Sequence, residues 1–542
     1  MPAYKYPLLI KDLLRMALIK RPDQEIVYRD MVRFNYRTLN ERINRFGNAL
    51  GKSGVKPGDV VAVIDYDSHR YLESFFAIPM FGGVLHTVNW RLSPEQVLYT
   101  MNRADDRIVL VNADFLPLVE SFADRLTTVE KFILLTDEKK KPDSRLSIEL
   151  EYEQMLQDSS PYYDFPDLDE DTVATTFYTT GTEGPPKGVC FTHRQLVLHT
   201  LGVATALSGL NFMKIDTSKE VYMPLTPMFH ANAWGQPYVA TLSAIKQVYP
   251  GKYDVFTLLK LIKKEKVTIT HCVPTILDIL LLGVEMEKVD LSGLKMGIGG
   301  AALPKGLARR ALNAGITCWS AYGLSETCPV VTMSDLKDYM MDWDTDRKMD
   351  VLQGQGMPIP LVQMEVMDEE GRILPHDGRS TGEIVLRAPW LTKGYTKDPG
   401  RTEQLWRNGW MHTGDLGNID EEGYLHLTDR IKDVIKSGGE WISTLTLENL
   451  LSNYEAIAQA GVIGIADERW GERPLAVLVL KSEYKDKFSP EDVKQYLQQF
   501  VDNGTISKWA VPDRFDIVDQ LPQTAAAKVD KKVLRKKYQA GK

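Results

Sequence analysis

Helix-like and strand-like segments alternate through most of this chain, and no other feature restricts its fold as tightly. Residues 254–264 have helical spacing, 267–273 read as a strand, and 274–282 read as a helix again. A strand follows over 296–299, a helix over 304–313 and a strand over 316–319. Nearer the start, Thr38 with Glu41 forms a capping box ahead of Leu39, Ile43, Phe46 and Leu50 at helical spacing. The turn Pro57-Gly58-Asp59 then leads into the apolar run from Val60 to Ile64, which reads as a buried strand. Such alternation predicts parallel sheet with helices on both faces, and sheets of that kind bind ligands at the carboxyl ends of their strands.

At 542 residues the chain exceeds the ~250–300 at which a single core stops growing, so more than one domain is expected. The polar stretches 137–145 and 158–171 read as surface loops. Beyond about residue 330 the segments shorten and Gly and Pro turns multiply, which predicts a small β-rich portion up to about Asp429. From Asp433 helix and strand mix again, with a helix start at Ser489-Pro490-Glu491-Asp492.

Several function classes fall away early. A formal charge of -8 gives no basic footprint for nucleic acid and no polybasic stripe for a membrane. The most apolar helical stretch, Ile276 to Val284, carries Asp278 and is far short of the ~20 residues of a membrane span. The start of the sequence lacks the basic, apolar and small-residue pattern of a secretory signal. Cys190, Cys272, Cys318 and Cys328 form no CxxC pair and no metal spacing. The expectation is a cytoplasmic protein with reduced thiols, no transmembrane segment and no nucleic-acid partner. The oligomeric state, a homodimer included, stays open.

The most informative segment is Tyr178-Thr-Thr-Gly-Thr-Glu-Gly-Pro-Pro-Lys-Gly188. Its glycines, hydroxyls and single lysine suit a loop that wraps phosphate oxygens with backbone N–H groups. It is not a Walker loop, because Pro186 precedes Lys187 and Gly188 follows it. A strand-like stretch, Val173 to Tyr178, leads in, and a helix-like one is expected to lead out. Gly297-Ile-Gly-Gly-Ala-Ala302 fits a loose dinucleotide pattern, which keeps a nicotinamide dehydrogenase open as a rival. The next acidic residue, however, is Glu326, inside Tyr322-Gly-Leu-Ser-Glu-Thr327 rather than at the end of a second strand. Thr327 also stands where a hydrolase elbow needs its second glycine. Farther on come Thr413-Gly-Asp415, the run from Asp429 to Ser443, and Leu521-Pro-Gln-Thr-Ala-Ala-Ala-Lys528.

In this order, over nearly the whole chain, these motifs resemble the AMP-forming adenylating superfamily of acyl-CoA synthetases, peptide-synthetase adenylation domains and beetle luciferases. Leu85-His-Thr-Val-Asn89, Pro227-Met-Phe-His-Ala-Asn-Ala-Trp234 and Lys436-Ser-Gly-Gly-Glu-Trp-Ile-Ser443 look most like bacterial medium- and long-chain fatty acyl-CoA synthetases and their methylmercaptopropionate-CoA ligase relatives. The resemblance implies an α/β fold. A large N-terminal domain of doubly wound sheets plus a small β-barrel portion would span 1–431 and bind ATP and the acid. A small mobile C-terminal α+β domain would span 432–542. The reaction implied joins a carboxylic acid of the medium- or long-chain fatty acid class to ATP as an acyl-adenylate, then passes the acyl group to coenzyme A. An unusual acid such as methylmercaptopropionate, or transfer to a carrier protein, is the alternative.

The resemblance also distributes roles. Thr179, Thr180, Gly181, Thr182, Glu183, Gly184 and Lys187 would cradle the phosphates that leave. Gly300, Ala301 and Ala302 would wall the adenine slot, Tyr322 would stack on the base, and Gly323 would touch nucleotide and acyl group. Thr327 would bind the α-phosphate and Glu326 would hold Mg²⁺. Asp415 and Arg430 would bind the ribose, and Lys528 would bridge the acyl carboxylate and the α-phosphate. His230 would lie near the reacting carboxylate and is equally read as a core histidine; Trp234 would gate the acyl tunnel, and it and Tyr322, taken without the surrounding motifs, read as core aromatics. Lys432 would be the hinge, and Gly438, Gly439 and Glu440 would help form the thiol channel. Glu183 stands where Thr or Ser is usual, and Ala527 replaces the usual glycine before Lys528.

Overall fold

The computed structural model describes residues 4–179, 185–216, 218–437, 440–485, 487–523 and 529–539. They pack as two units. The first comprises Met1–Thr179, Pro185–Gln363 and Arg387–Arg407; the second includes Met364–Leu386 and Asn408–Lys542. The expected boundary at 431/432 falls inside the second unit, in the turn between the strands Leu425–Arg430 and Ile435–Ser437.

Two sheets organise the first unit. In one, the strands run in the order Ile148–Glu151, Lys131–Leu135, Asp106–Asn112, Val60–Ile64, Val84–Thr87, Val173–Thr179 and Lys187–Thr192. All neighbours are parallel except the last pair. Val61 to Ile64 are fully buried, as an apolar run covered on both faces must be. The other sheet has the parallel core anticipated from the alternation: Val221–Pro224, Ile269–Cys272, Lys295–Ile298 and Thr317–Gly323 lie side by side. The helices between them, Val255–Glu265, Pro274–Glu287 and Lys305–Asn313, pack through Leu258, Leu259, Leu277, Leu281 and Ala308. No helix among the described residues is long and apolar enough to cross a membrane.

Two local expectations need correction. The helix Tyr36–Lys52 is capped by Asn35, whose side chain accepts from the Thr38 N–H, not by Thr38 with Glu41. Tyr36 is drawn into the helix because its ring is buried and its hydroxyl donates to the Ile245 carbonyl at 2.7 Å. The segment leaving the glycine-rich loop is also not a helix. Lys187–Thr192, rich in β-branched and aromatic residues, pairs antiparallel with Val173–Thr179. The helix His193–Ser208 starts only after it, with a capping box between Thr192 and Gln195.

In the second unit, Gly382–Arg387 pairs antiparallel with Trp410–Ile419, which pairs antiparallel with Leu425–Arg430. A further sheet orders Glu440–Ile442, Ile435–Ser437, Gly471–Leu480 and Ile457–Asp467, with Arg514–Ile517 added parallel to Gly471–Leu480. Ile435, Leu447, Val462, Leu478 and Leu497 form its core on one side; Leu521 and Leu534 pack against Ile463, Leu475 and Val477 on the other.

Candidate active site

The expected phosphate loop is closed at its base by a hairpin: Thr179 stands directly opposite Lys187. Thr180, Gly181, Thr182, Glu183 and Gly184 lie outside the described residues. Gly188 is dictated by Tyr178, since a Cβ there would meet the phenol ring at 2.8 Å. The Lys187 ammonium lies over the ring of Tyr395, 4.8 Å from its centroid. The Tyr395 hydroxyl in turn donates to Glu326 Oε1 at 2.6 Å. Two backbone bonds fix this bridge, from the Thr396 N–H to the Gly188 carbonyl and from the Thr392 N–H to the Glu326 carbonyl. Sequence reasoning missed Tyr395. Its partners are 69 and 208 positions away, and the only local cue is Gly394 before an aromatic residue.

The strand Lys295–Ile298 runs into Gly299, Gly300, Ala301 and Ala302. The glycines here make room for indoles. A Cβ on Gly297 would come within 2.9 Å of Trp319, and one on Gly299 within 3.0 Å of Trp234 and 3.1 Å of the Ala321 carbonyl. Gly300 adopts φ +75°, a conformation that glycine takes without penalty. The loose dinucleotide pattern thus has a packing cause. Gly300 and Ala301 are exposed, and Ala302 is half-buried. Tyr322 is buried in the adjacent strand. At Gly323 a Cβ would collide with the Pro329 carbonyl. Glu326 sits half-buried in the short turn Ser325–Thr327. The Thr327 hydroxyl accepts from the Leu324 N–H at 2.8 Å and is also bonded to the Leu324 and Pro329 carbonyls, so it holds the turn that presents Glu326.

His230 is half-buried and directly precedes an unusual turn. Ala231, Asn232, Ala233, Trp234 and Gly235 all have positive φ, between 45° and 72°. Each non-glycine residue in this left-handed conformation costs about 1–2 kcal/mol. The turn persists because its surroundings hold it. The Met228 N–H donates to the buried Asp67 at 2.8 Å, and the Thr87 hydroxyl donates to the Phe229 carbonyl at 3.0 Å. Burial raises the Asp67 carboxyl to about 7. The turn delivers Trp234 onto His271, with ring centroids 5.1 Å apart. Burial pushes His271 down to about 3, so it is neutral at physiological pH, and its Nε2 pairs with the Tyr222 hydroxyl at 2.8 Å. Beside these rings lies a narrow pocket, bordered also by Trp319 and Met333. A second narrow pocket adjoins it and shares Tyr222, Gln236 and Ile269.

In the second unit Asp415 and Arg430 face each other across an antiparallel pair, with Arg430 Nε 3.0 Å from Asp415 Oδ1. The carboxylate is buried and the guanidinium is partly exposed. Lys432 lies in the turn that follows, where the Asp433 and Val434 N–H groups donate to the Arg430 carbonyl at 2.8 and 2.9 Å. Gly438, Gly439 and Lys528 lie outside the described residues. Glu440 begins the strand Glu440–Ile442 opposite Ser437. Gln523 and Val529 pair as an isolated antiparallel bridge.

Comparison with known proteins agrees with this architecture. The AMP-binding enzyme family matches residues 14–396, and the AMP-binding enzyme C-terminal domain matches 446–528. The chain is 38% identical to a long-chain-fatty-acid–CoA ligase of Thermus thermophilus, over 97% of this chain and 95% of that one. It is 37% identical to a 3-methylmercaptopropionyl-CoA ligase of Ruegeria pomeroyi, over 93% and 92%. In fold it is similar to an anthranilate CoA ligase solved with anthranoyl-AMP, with TM-score 0.84 and 23% identity over 100% and 99% of the two chains. With both family regions matched and this identity sustained along the chain, the protein belongs to the AMP-binding enzyme family.

Proposed function

We propose that this protein is an ATP-dependent acyl-CoA synthetase for an apolar, medium- or long-chain carboxylic acid. Acid and ATP form an acyl-adenylate and pyrophosphate; the acyl group then passes to coenzyme A with release of AMP. The observation that carries the acid class is the pair of adjoining cavities beside Trp234, lined mainly by apolar and aromatic side chains and without a carboxylate in the first of them. An amino acid substrate would need a negative partner for its amine.

A carboxylate attacking a triphosphate brings like charges together, so the protein must orient and neutralise. Lys187 would take the departing phosphates, Tyr322 the base, and Asp415, steadied by Arg430, the ribose. Lys528 would meet the acyl carboxylate and the α-phosphate. Among the described residues no three His, Cys, Asp or Glu side chains cluster as metal ligands. A single carboxylate, Glu326, with one oxygen engaged by Tyr395, fits Mg²⁺, which takes one or two protein carboxylates and otherwise phosphate oxygens and water. Bound Mg²⁺ would supply positive charge to the phosphate oxygens. The tail would carry Lys528 for the first step and, after rotation about Lys432, offer Gly438, Gly439 and Glu440 to the thiol. The reading places the enzyme in the cytoplasm. Nothing in this scheme requires a second copy, and sedimentation would measure whether a homodimer forms.

A second reading has its own support. Trp234, Trp319, Tyr222 and His271 surround the first cavity with rings, and a thioether sulfur is favourably placed among aromatic edges. Methylmercaptopropionate would set its sulfur among these rings. CoA-dependent AMP release across acids from propionate and methylmercaptopropionate to palmitate and benzoate decides between them. AMP release that ignores free CoA would point instead to a carrier protein as acceptor.

Two substitutions probe the assignment. Asp415→Ala removes a charged acceptor from the ribose and the carboxylate that Arg430 Nε meets at 3.0 Å. The ATP KM should rise about tenfold to a hundredfold, the range for hydrogen bonds to charged groups. Unchanged ATP binding by calorimetry would make Asp415 purely structural. Trp234→Ala should widen the range of acids accepted or increase loss of free adenylate, while the CoA KM barely moves. A lowered melting temperature with unaltered selectivity would instead identify Trp234 as a packing residue.

A further inference from the structure

Lys187 and Glu326 carry opposite charges, are tethered to the same short segment, and yet form no ion pair with each other among the described residues. Tyr395 stands between them. Its hydroxyl takes the carboxylate and its ring face takes the ammonium, a favourable position for a cation. The backbone around it is fixed on both sides. Tyr395 bridges to Val189, two residues after Lys187, and the Thr396 N–H reaches the Gly188 carbonyl at 2.8 Å. On the other side the Thr392 N–H reaches the Glu326 carbonyl at 2.9 Å. The Tyr395 N–H itself donates to Thr402 Oγ1 at 2.9 Å, and Gly394 is held where a Cβ would collide with Thr402. A ring placed so firmly is a spacer rather than a loose surface aromatic.

We propose that Tyr395 is a positioning residue that keeps Lys187 and Glu326 from neutralising each other, so that both meet the triphosphate end of ATP with their charges available. The inference rests on the adenylating reading above. Without the spacer, an ammonium and a carboxylate on neighbouring segments would close on one another, and ATP would have to break that ion pair before binding. The neutral hydroxyl and ring face are weaker partners, which each group leaves readily when phosphate oxygens arrive. Because AMP lacks the β- and γ-phosphates, its binding draws little on Lys187. The consequence is therefore specific to the triphosphate.

The test measures ATP and AMP affinities by calorimetry, without acid or CoA, for the unaltered enzyme, Tyr395→Phe and Tyr395→Leu. Tyr395→Phe keeps the ring for Lys187 and removes only the hydroxyl that occupies Glu326. The expected result is about tenfold weaker ATP binding in Tyr395→Phe, a larger loss in Tyr395→Leu, and AMP affinity within twofold throughout. A crystal structure of ligand-free Tyr395→Leu should show Lys187 paired with Glu326. Equal weakening of ATP and AMP would overturn the proposal and leave Tyr395 as a structural strap, and so would unchanged ATP affinity in both variants. Should Tyr395→Leu fail to fold, as a thermal melt would show, the conservative Tyr395→Phe alone decides the matter. If the unaltered enzyme binds neither nucleotide, it is the adenylating reading that has failed, which separates the two outcomes.

Discussion

Lys528→Ala should abolish adenylate formation, with pyrophosphate exchange falling on the order of a thousandfold, the scale for deleting a charge-stabilising donor. Thioester formation from supplied acyl-adenylate should stay largely intact. A lysine is needed where the acyl carboxylate and the α-phosphate are forced together, and that need ends once pyrophosphate has left. Both flanks of Lys528 are anchored. Leu521 is fully buried, and the Asp530 N–H donates to the Pro522 carbonyl at 2.7 Å. Equal loss of both half-reactions would sink the assignment.

Lys432→Pro should separate the two half-reactions. On the proposed scheme the tail presents Lys528 first and the thiol channel afterwards, which requires backbone rotation at one place. Lys432 occupies the turn between Leu425–Arg430 and Ile435–Ser437, and proline locks φ near ~-65°. Rotation there would also break the bonds of Thr444 to Asp429, where its hydroxyl donates to Oδ2 at 2.6 Å. Pyrophosphate exchange should stay within a few-fold of the unaltered enzyme. CoA-dependent turnover should fall on the order of a hundredfold, as misplacement of catalytic groups commonly costs. A modest, parallel decline in both would remove Lys432 from the mechanism.

The sequence made the parallel core of the first unit legible because its strands are short, apolar and separated by periodic helices. The strand Val60–Ile64 and the helix Pro490–Asp502 begin where composition and capping place them. Hairpins were harder to read. Lys187–Thr192 looked helical because a genuine helix follows it at once, and only pairing with Val173–Thr179 makes it a strand. Thr38 and Glu41 offer the better local pattern, but the helix starts at Tyr36 with Asn35 as its cap because the burial of Tyr36 is decided by Ile245, far along the chain. The motif residues could be named in advance, but their support could not. Tyr395 beneath Lys187, Asp67 beneath the His230 loop and His271 beneath Trp234 are all long-range contacts with no periodic trace.

The left-handed turn from Ala231 to Gly235 has a consequence for protein engineering. Elsewhere in a fold, exchanging alanine for glycine loosens the native state, because glycine has more freedom to lose. At Ala231 and Ala233 that loss is offset: relief of about 1–2 kcal/mol of backbone cost per residue is set against about 0.4–1 kcal/mol of entropy and about 0.8 kcal/mol for the buried methyl. A selection for heat resistance would therefore accept glycine at both positions. The same exchange would widen the orientations open to the indole of Trp234 and, on the proposed scheme, the range of acids admitted. At these two positions stability is nearly indifferent to the exchange while discrimination between substrates is not, so a campaign that screens for thermostability alone will let selectivity drift.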